Sequence, residues 1–144
     1  MRRILVADDE PAIRQLYSIW LAGHGDDVRT AADGREAIAL VGRGWIPDAA
    51  ALDLDMPFVD GLSVCRYLHA LDPSIRIVVV TGVEDARPKA LDAGAIDVLH
   101  KPCSREALLG ALHVHHAGDE RPAQVAGVRL RVDPDAIGAG LRLE

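Results

Sequence analysis

Five short apolar runs, spaced out by stretches of helical periodicity, constrain this chain more than any other feature it has. They are Arg3–Ala7, Val28–Ala31, Ala49–Leu52, Ile75–Thr81 and Ile96–Leu99. Short apolar runs bounded by turn residues read as strands buried on both faces, the kind that parallel sheets use. After the first run, Pro11 suits a first helical turn, and Ile13, Leu16, Tyr17 and Trp20 recur at helical spacing until about Ala22. A second helix spans Glu36–Val41 with Ala37, Ile38 and Leu40. A third follows the turn at Asp60-Gly61, with Leu62, Cys65, Leu68 and Leu71 facing inward until Asp72-Pro73 ends it. A short helix begins near Pro88, carries Ala90, Leu91 and Ala93, and is closed by Gly94. Ser104 is a fair N-cap for a last helix that turns Leu108, Leu109 and Leu112 to one side.

Strand and helix therefore alternate, with short connections. The pattern predicts an α/β fold: a doubly wound, five-stranded parallel sheet with helices on both faces, of flavodoxin-like type. A length of 144 residues suits one domain with a tail, and the texture changes at Ala117, after which Gly, Pro, Asp and Arg interrupt every apolar pair. The expected division is a folded domain over 1–116 and, over 117–144, a linker, a mobile tail or the stub of a removed output domain. Within that tail Val125–Val132 could form one further strand. The net charge of −6 argues against a broadly nucleic-acid-binding surface. No apolar run approaches the roughly 20 residues a bilayer-spanning helix needs, and the apolar part of MRRILVADDE is too short for a signal peptide. Cys65 and Cys103 form neither a metal-ligand spacing nor a disulfide framework. A reduced, cytoplasmic setting is the plain reading.

The strand ends carry the chemistry. The first run stops at Asp8-Asp9, the third at Asp53, the fourth ends in Thr81, and Lys101 follows the fifth. Carboxyl ends of parallel strands open onto one sheet edge, where open α/β sheets place their ligands. Clustered carboxylates repel one another unless a cation lies between them. An oxygen-only set suits Mg²⁺, with Mn²⁺ as its substitute, because such an ion bridges carboxylate to phosphate. A carboxylate nucleophile, a divalent ion, the Lys101 ammonium and the Thr81 hydroxyl are the parts of a phosphoryl-transfer site. Taken singly, each residue has a plainer reading. The acidic pair could simply sit at a helix N-terminus, Thr81 could end a strand, and Lys101 could be a surface lysine. Asp60-Gly61 is a turn and helix cap in either case. His113 and His116 share a helix face without an evident third ligand and read as a solvated helix end.

Taken together, these residues resemble a response regulator receiver domain of bacterial two-component signalling. The matching elements are Asp8-Asp9, the D-x-x-M-P-x-x-D-G run at Asp53, Met56, Pro57, Asp60 and Gly61, then Thr81-Gly82, and Gly94-Ala95 leading to Lys101-Pro102. They occur in the family's order and cover 1–116. The resemblance implies that Asp53 is the phosphoacceptor, attacking a phosphohistidine on a sensor histidine kinase or a histidine phosphotransfer protein. It implies that Asp9 ligates Mg²⁺ directly with Asp8 beside it, and that the backbone carbonyl of Asp55 completes the protein's share. Lys101 would pair with phosphoryl oxygens across a cis Lys101-Pro102 bond, and Thr81 would move toward the phosphoryl group on activation. The module would be a signalling switch rather than a turnover enzyme, either stand-alone or cut from a longer regulator, such as one that binds DNA. Its output partner is unknown, and relatives commonly form homodimers across the fourth-helix to fifth-helix face.

Departures from the family pattern carry expectations of their own. Val98 stands where an aromatic residue usually turns inward with the threonine, so the threonine half of the switch is present and the aromatic half is missing. Cys103 replaces a common Phe, and Gly82 a common Ala. Asp55 adds a negative charge at the mouth of the site, where it is expected to tune phosphoryl lifetime. Two other functions compete with this one. A pseudo-receiver would keep the fold and bind partners without phosphorylation. A haloacid-dehalogenase-type phosphatase shares the apolar-D-x-D pattern of Ala51–Asp55, but its motif normally opens the chain, and no convincing acidic pair follows Lys101 here.

Overall fold

Successive side chains of a strand point to opposite sides of a sheet, so a strand that is apolar at every position needs cover on both. The computed structural model, which describes residues 1–113, provides that cover. Its strands are β1 (Arg3–Ala7), β2 (Asp27–Ala31), β3 (Ala49–Leu52), β4 (Arg76–Thr81) and β5 (Asp97–His100). Its helices are α1 (Pro11–Gly23), α2 (Gly34–Gly42), α3 (Gly61–Leu71), α4 (Arg87–Asp92) and α5 (Arg105–His113). All neighbouring strands run parallel in the order β2-β1-β3-β4-β5. Leu5, Ala50, Leu52, Ile77 and Val79 face one core, shared with Ala37 and Val41 of α2, Val64 and Leu68 of α3, and Ala90 of α4. Ile4, Val6, Ala49, Ala51, Val78 and Val80 face the other, shared with Tyr17 and Leu21 of α1 and Leu108 and Leu112 of α5. The sheet is thus doubly wound, as the alternation predicts.

Local chemistry sets the element ends. Asp33 accepts a hydrogen bond from the Glu36 amide at 2.8 Å, and the Glu36 carboxylate accepts one from the Ala32 amide at 2.8 Å, so α2 starts at Gly34 rather than at Glu36. Asp60 caps α3 through the Ser63 amide (2.9 Å) and Ser104 caps α5 through the Ala107 amide (3.0 Å). The fifth strand begins at Asp97, one residue later than expected, and Ile96 remains outside it and half exposed. Helical spacing places Leu16, Leu71 and Leu91 on inward faces, but they are 40%, 48% and 40% exposed. Each lies on the flank of a stripe narrower than the helical period allows: Tyr17 and Leu21 bury α1, Leu68 ends the buried face of α3, and Ala90 alone buries α4. Among the described residues no helix is long and apolar enough to cross a membrane. The expected tail over 117–144, the strand suggested at Val125–Val132, and His116 lie outside the described residues.

Candidate functional site

The carboxyl ends of β1, β3, β4 and β5 meet at one edge. Backbone bonds fix them there: the Asp8 amide donates to the Ala31 carbonyl (3.1 Å), that of Asp53 to Ala7 (2.9 Å), and that of Lys101 to Thr81 (2.9 Å). Asp8, Asp9 and Asp53 bring carboxylate oxygens within 4.8 Å of one another. The Lys101 ammonium lies 2.8 Å from Asp8 Oδ2, 3.4 Å from Asp53 Oδ2 and 3.8 Å from Glu10 Oε1. The Lys101-Pro102 peptide is cis. Four of the sequence-predicted site residues therefore share one small volume.

The three carboxylates are not equivalent. Asp8 is 2% exposed, and both of its oxygens are engaged, by Lys101 and by the Glu10 amide at 2.9 Å. Its backbone carbonyl accepts from the Arg14 guanidinium at 2.8 Å. Asp9 is exposed and Asp53 is 5% exposed. The contacts at Asp53 are long: 3.4 Å from the Asp55 amide to Oδ1 and 3.4 Å from Lys101 to Oδ2. Burial, and next the charge of Asp8, push the Asp53 carboxyl up to about 6, against the lowering pull of Lys101 and the Asp55 amide. Burial pulls the Lys101 ammonium down, but the Asp8 hydrogen bond and the charges of Asp53 and Asp8 together outweigh it and hold it above its ordinary value. One ammonium leaves this cluster short of positive charge. An oxygen-only set of this kind fits a hard divalent cation.

Thr81 is fully buried at the end of β4, and its hydroxyl accepts from the Val83 amide at 3.0 Å, leaving its own proton to be donated. Val98 is buried against the core that α2, α3 and α4 cover. Asp55 is exposed beside Asp53. Sequence reasoning missed Glu10, whose place in the acidic run was a signal, and Arg14, whose contact with a main-chain oxygen left none. Helical spacing places Tyr17 on the first helix and gives no sign of a polar contact. The Tyr17 hydroxyl meets Cys103 Sγ at 3.4 Å, and burial, then that contact, push its phenol up.

The raised Asp53 value has a measurable consequence. A carboxyl held above its ordinary 3.8 contributes stability in full below that pH, and the contribution is lost as pH rises through about 6. In divalent-free buffer Asp53→Asn should therefore gain on the wild type between about pH 4 and 7, by roughly 2–3 kcal/mol, and hold that lead above. Urea melts at several pH values check this, and a constant difference would refute it.

Comparison with known proteins identifies the family. The response regulator receiver domain family matches residues 4–113. The response regulator MprA of Mycolicibacterium vanbaalenii is 43% identical over 112 residues, covering 76% of this chain and 48% of its own length. MprA of Mycobacterium sp. strain KMS is 42% identical over 140 residues, covering 94% of this chain and 60% of its own. The chain thus spans about half to three fifths of the length of these relatives. Among solved structures, a Burkholderia pseudomallei response regulator with a phosphorylated aspartic acid, a calcium ion and citrate superposes with a TM-score of 0.73 at 31% identity, covering 79% of this chain and 68% of that one. A receiver domain protein from Methanospirillum hungatei gives 0.71 at 29% identity, covering 76% and 88%. The family match takes in every residue of the acidic edge from Asp8 to Lys101, and the chain belongs to the response regulator receiver domains of two-component signalling.

Proposed function

We propose that Asp53 accepts a phosphoryl group from a phosphohistidine of a sensor histidine kinase or histidine phosphotransfer protein. The observation that carries this is Asp53 itself: a nearly buried carboxylate with loose contacts, beside two further acids and 3.4 Å from an ammonium. An Asp53 oxygen forms a P–O bond as the P–N bond breaks, and the departing imidazole keeps the electron pair. Lys101 pairs with a phosphoryl oxygen, and Thr81 donates its remaining proton to another. Asp9, Asp53 and the backbone carbonyl of Asp55 would hold Mg²⁺, which offsets negative charge shared by carboxylate and phosphoryl oxygens; Asp8 would orient Lys101. The module modifies itself and turns over no external substrate.

Phosphorylation would bias alternative packings around β4, β5 and α4 and so change affinity for a partner. Val98, without a ring to turn, leaves that response to the Thr81–Val83 turn and the loop before α4. We assign the switching unit to 1–116 and treat 117–144 as a linker, a tail or the stub of a removed output domain; a cytoplasmic setting suits a kinase partner. The test is intact mass after incubation with acetyl phosphate, with and without Mg²⁺, beside Asp53→Asn. A single phosphoryl adduct that needs both Mg²⁺ and Asp53 is expected. No adduct on a folded protein with an active donor would replace this reading with the pseudo-receiver.

A further inference from the structure

The β3–α3 loop that carries Asp55 is gripped by the start of α2 at two points that the site described above does not use. At Gly34 a side-chain carbon would overlap the Val59 carbonyl, so the two backbones touch. One residue on, the Arg35 guanidinium lies 3.7 Å from the centre of the Phe58 ring. Phe58 has φ 69, a left-handed conformation that glycine takes at far lower cost. Phe58 is 70% exposed, so the core does not need it. A glycine would give the loop the same path with less strain; what it would lack is a face for Arg35. Arg35 is itself anchored, 3.8 Å from the buried Asp33 carboxylate that caps α2.

We propose that Arg35 and Phe58 are a positioning pair for the cation site. Their stacking holds the loop from Leu54 to Asp60, and with it the main chain of Asp55, in register with Asp53. The inference rests on the Mg²⁺ site proposed above and deepens it; neither side chain touches the ion.

The test is Mg²⁺ binding to the full chain by titration calorimetry, beside urea melts in EDTA. Arg35→Gln and Phe58→Ala should each weaken Mg²⁺ about 3- to 10-fold, and the double variant should lose no more than either alone. Phe58→Tyr keeps the ring and should keep wild-type affinity. Phe58→Gly separates positioning from plain stability, because it should stabilise the metal-free protein while still weakening Mg²⁺. Wild-type binding with unchanged affinity in the variants, or losses that simply add in the double variant, would overturn the pair and leave the phosphoacceptor reading standing. No Mg²⁺ binding by the wild type would overturn both.

Discussion

Gly61→Ala should cost this domain about 3 kcal/mol or more and disable its acidic edge, whereas Gly82→Ala should be neutral or slightly stabilising. At Gly61 a methyl group would overlap the carbonyl oxygen and carbon of Asp53 and the Cα of Leu54. All three are backbone atoms, so no side chain can swing aside; relief requires α3 to move away from the end of β3. That movement would also stretch the bond from the Gly61 amide to the Leu54 carbonyl, 3.0 Å in the intact loop. The displaced backbone is that of the candidate acceptor, so weaker Mg²⁺ binding should accompany the lost stability. At Gly82 an added methyl group would meet nothing within 4 Å and the φ is not left-handed, so alanine there mainly restricts the unfolded chain. Urea melts of the two variants, with Mg²⁺ titrations, check the contrast. A Gly61→Ala protein that melts like the wild type would show that the close approach is not constraining.

Gly61 also illustrates what a sequence displays and what it hides. Asp60-Gly61 was legible as a turn and cap because Asp60 acts within three residues of itself, on the Ser63 amide. The reason for glycine was not legible, because the obstructing atoms come from β3 across the loop. The same division holds elsewhere. Strand ends were readable from abrupt apolar-to-acid steps such as Leu52-Asp53, and parallel order then placed those ends on one edge. The inward faces of α1, α3 and α4 were read too broadly at Leu16, Leu71 and Leu91, since periodicity cannot say how far a neighbouring element reaches. The Arg14 contact with the Asp8 carbonyl and the stack of Arg35 on Phe58 join residues whose types are unremarkable alone. Tertiary contacts of that kind leave no local pattern.

Lys101→Ala is expected to have the largest effect at the site itself, and its effects should divide into two. Asp8 and Asp53 are nearly buried, and the lysine ammonium lies 2.8 and 3.4 Å from them. Removing it strands two carboxylates, which should lower stability at pH 8 in EDTA by about 3 kcal/mol. Protonation relieves the same repulsion, so the deficit should shrink as the pH falls. Saturating Mg²⁺ should restore much of the loss, because a divalent ion supplies positive charge to the same oxygens. Labelling by acetyl phosphate should nevertheless stay about 100-fold slow, because the ammonium also pairs with a phosphoryl oxygen in the proposed transfer. Lys101→Arg keeps the charge but spreads it over a planar fork, so it should recover stability better than rate. If Mg²⁺ restored labelling as fully as stability, Lys101 would be only a counter-charge for the acidic cluster. If stability returned and rate did not, the lysine would serve the phosphoryl group directly.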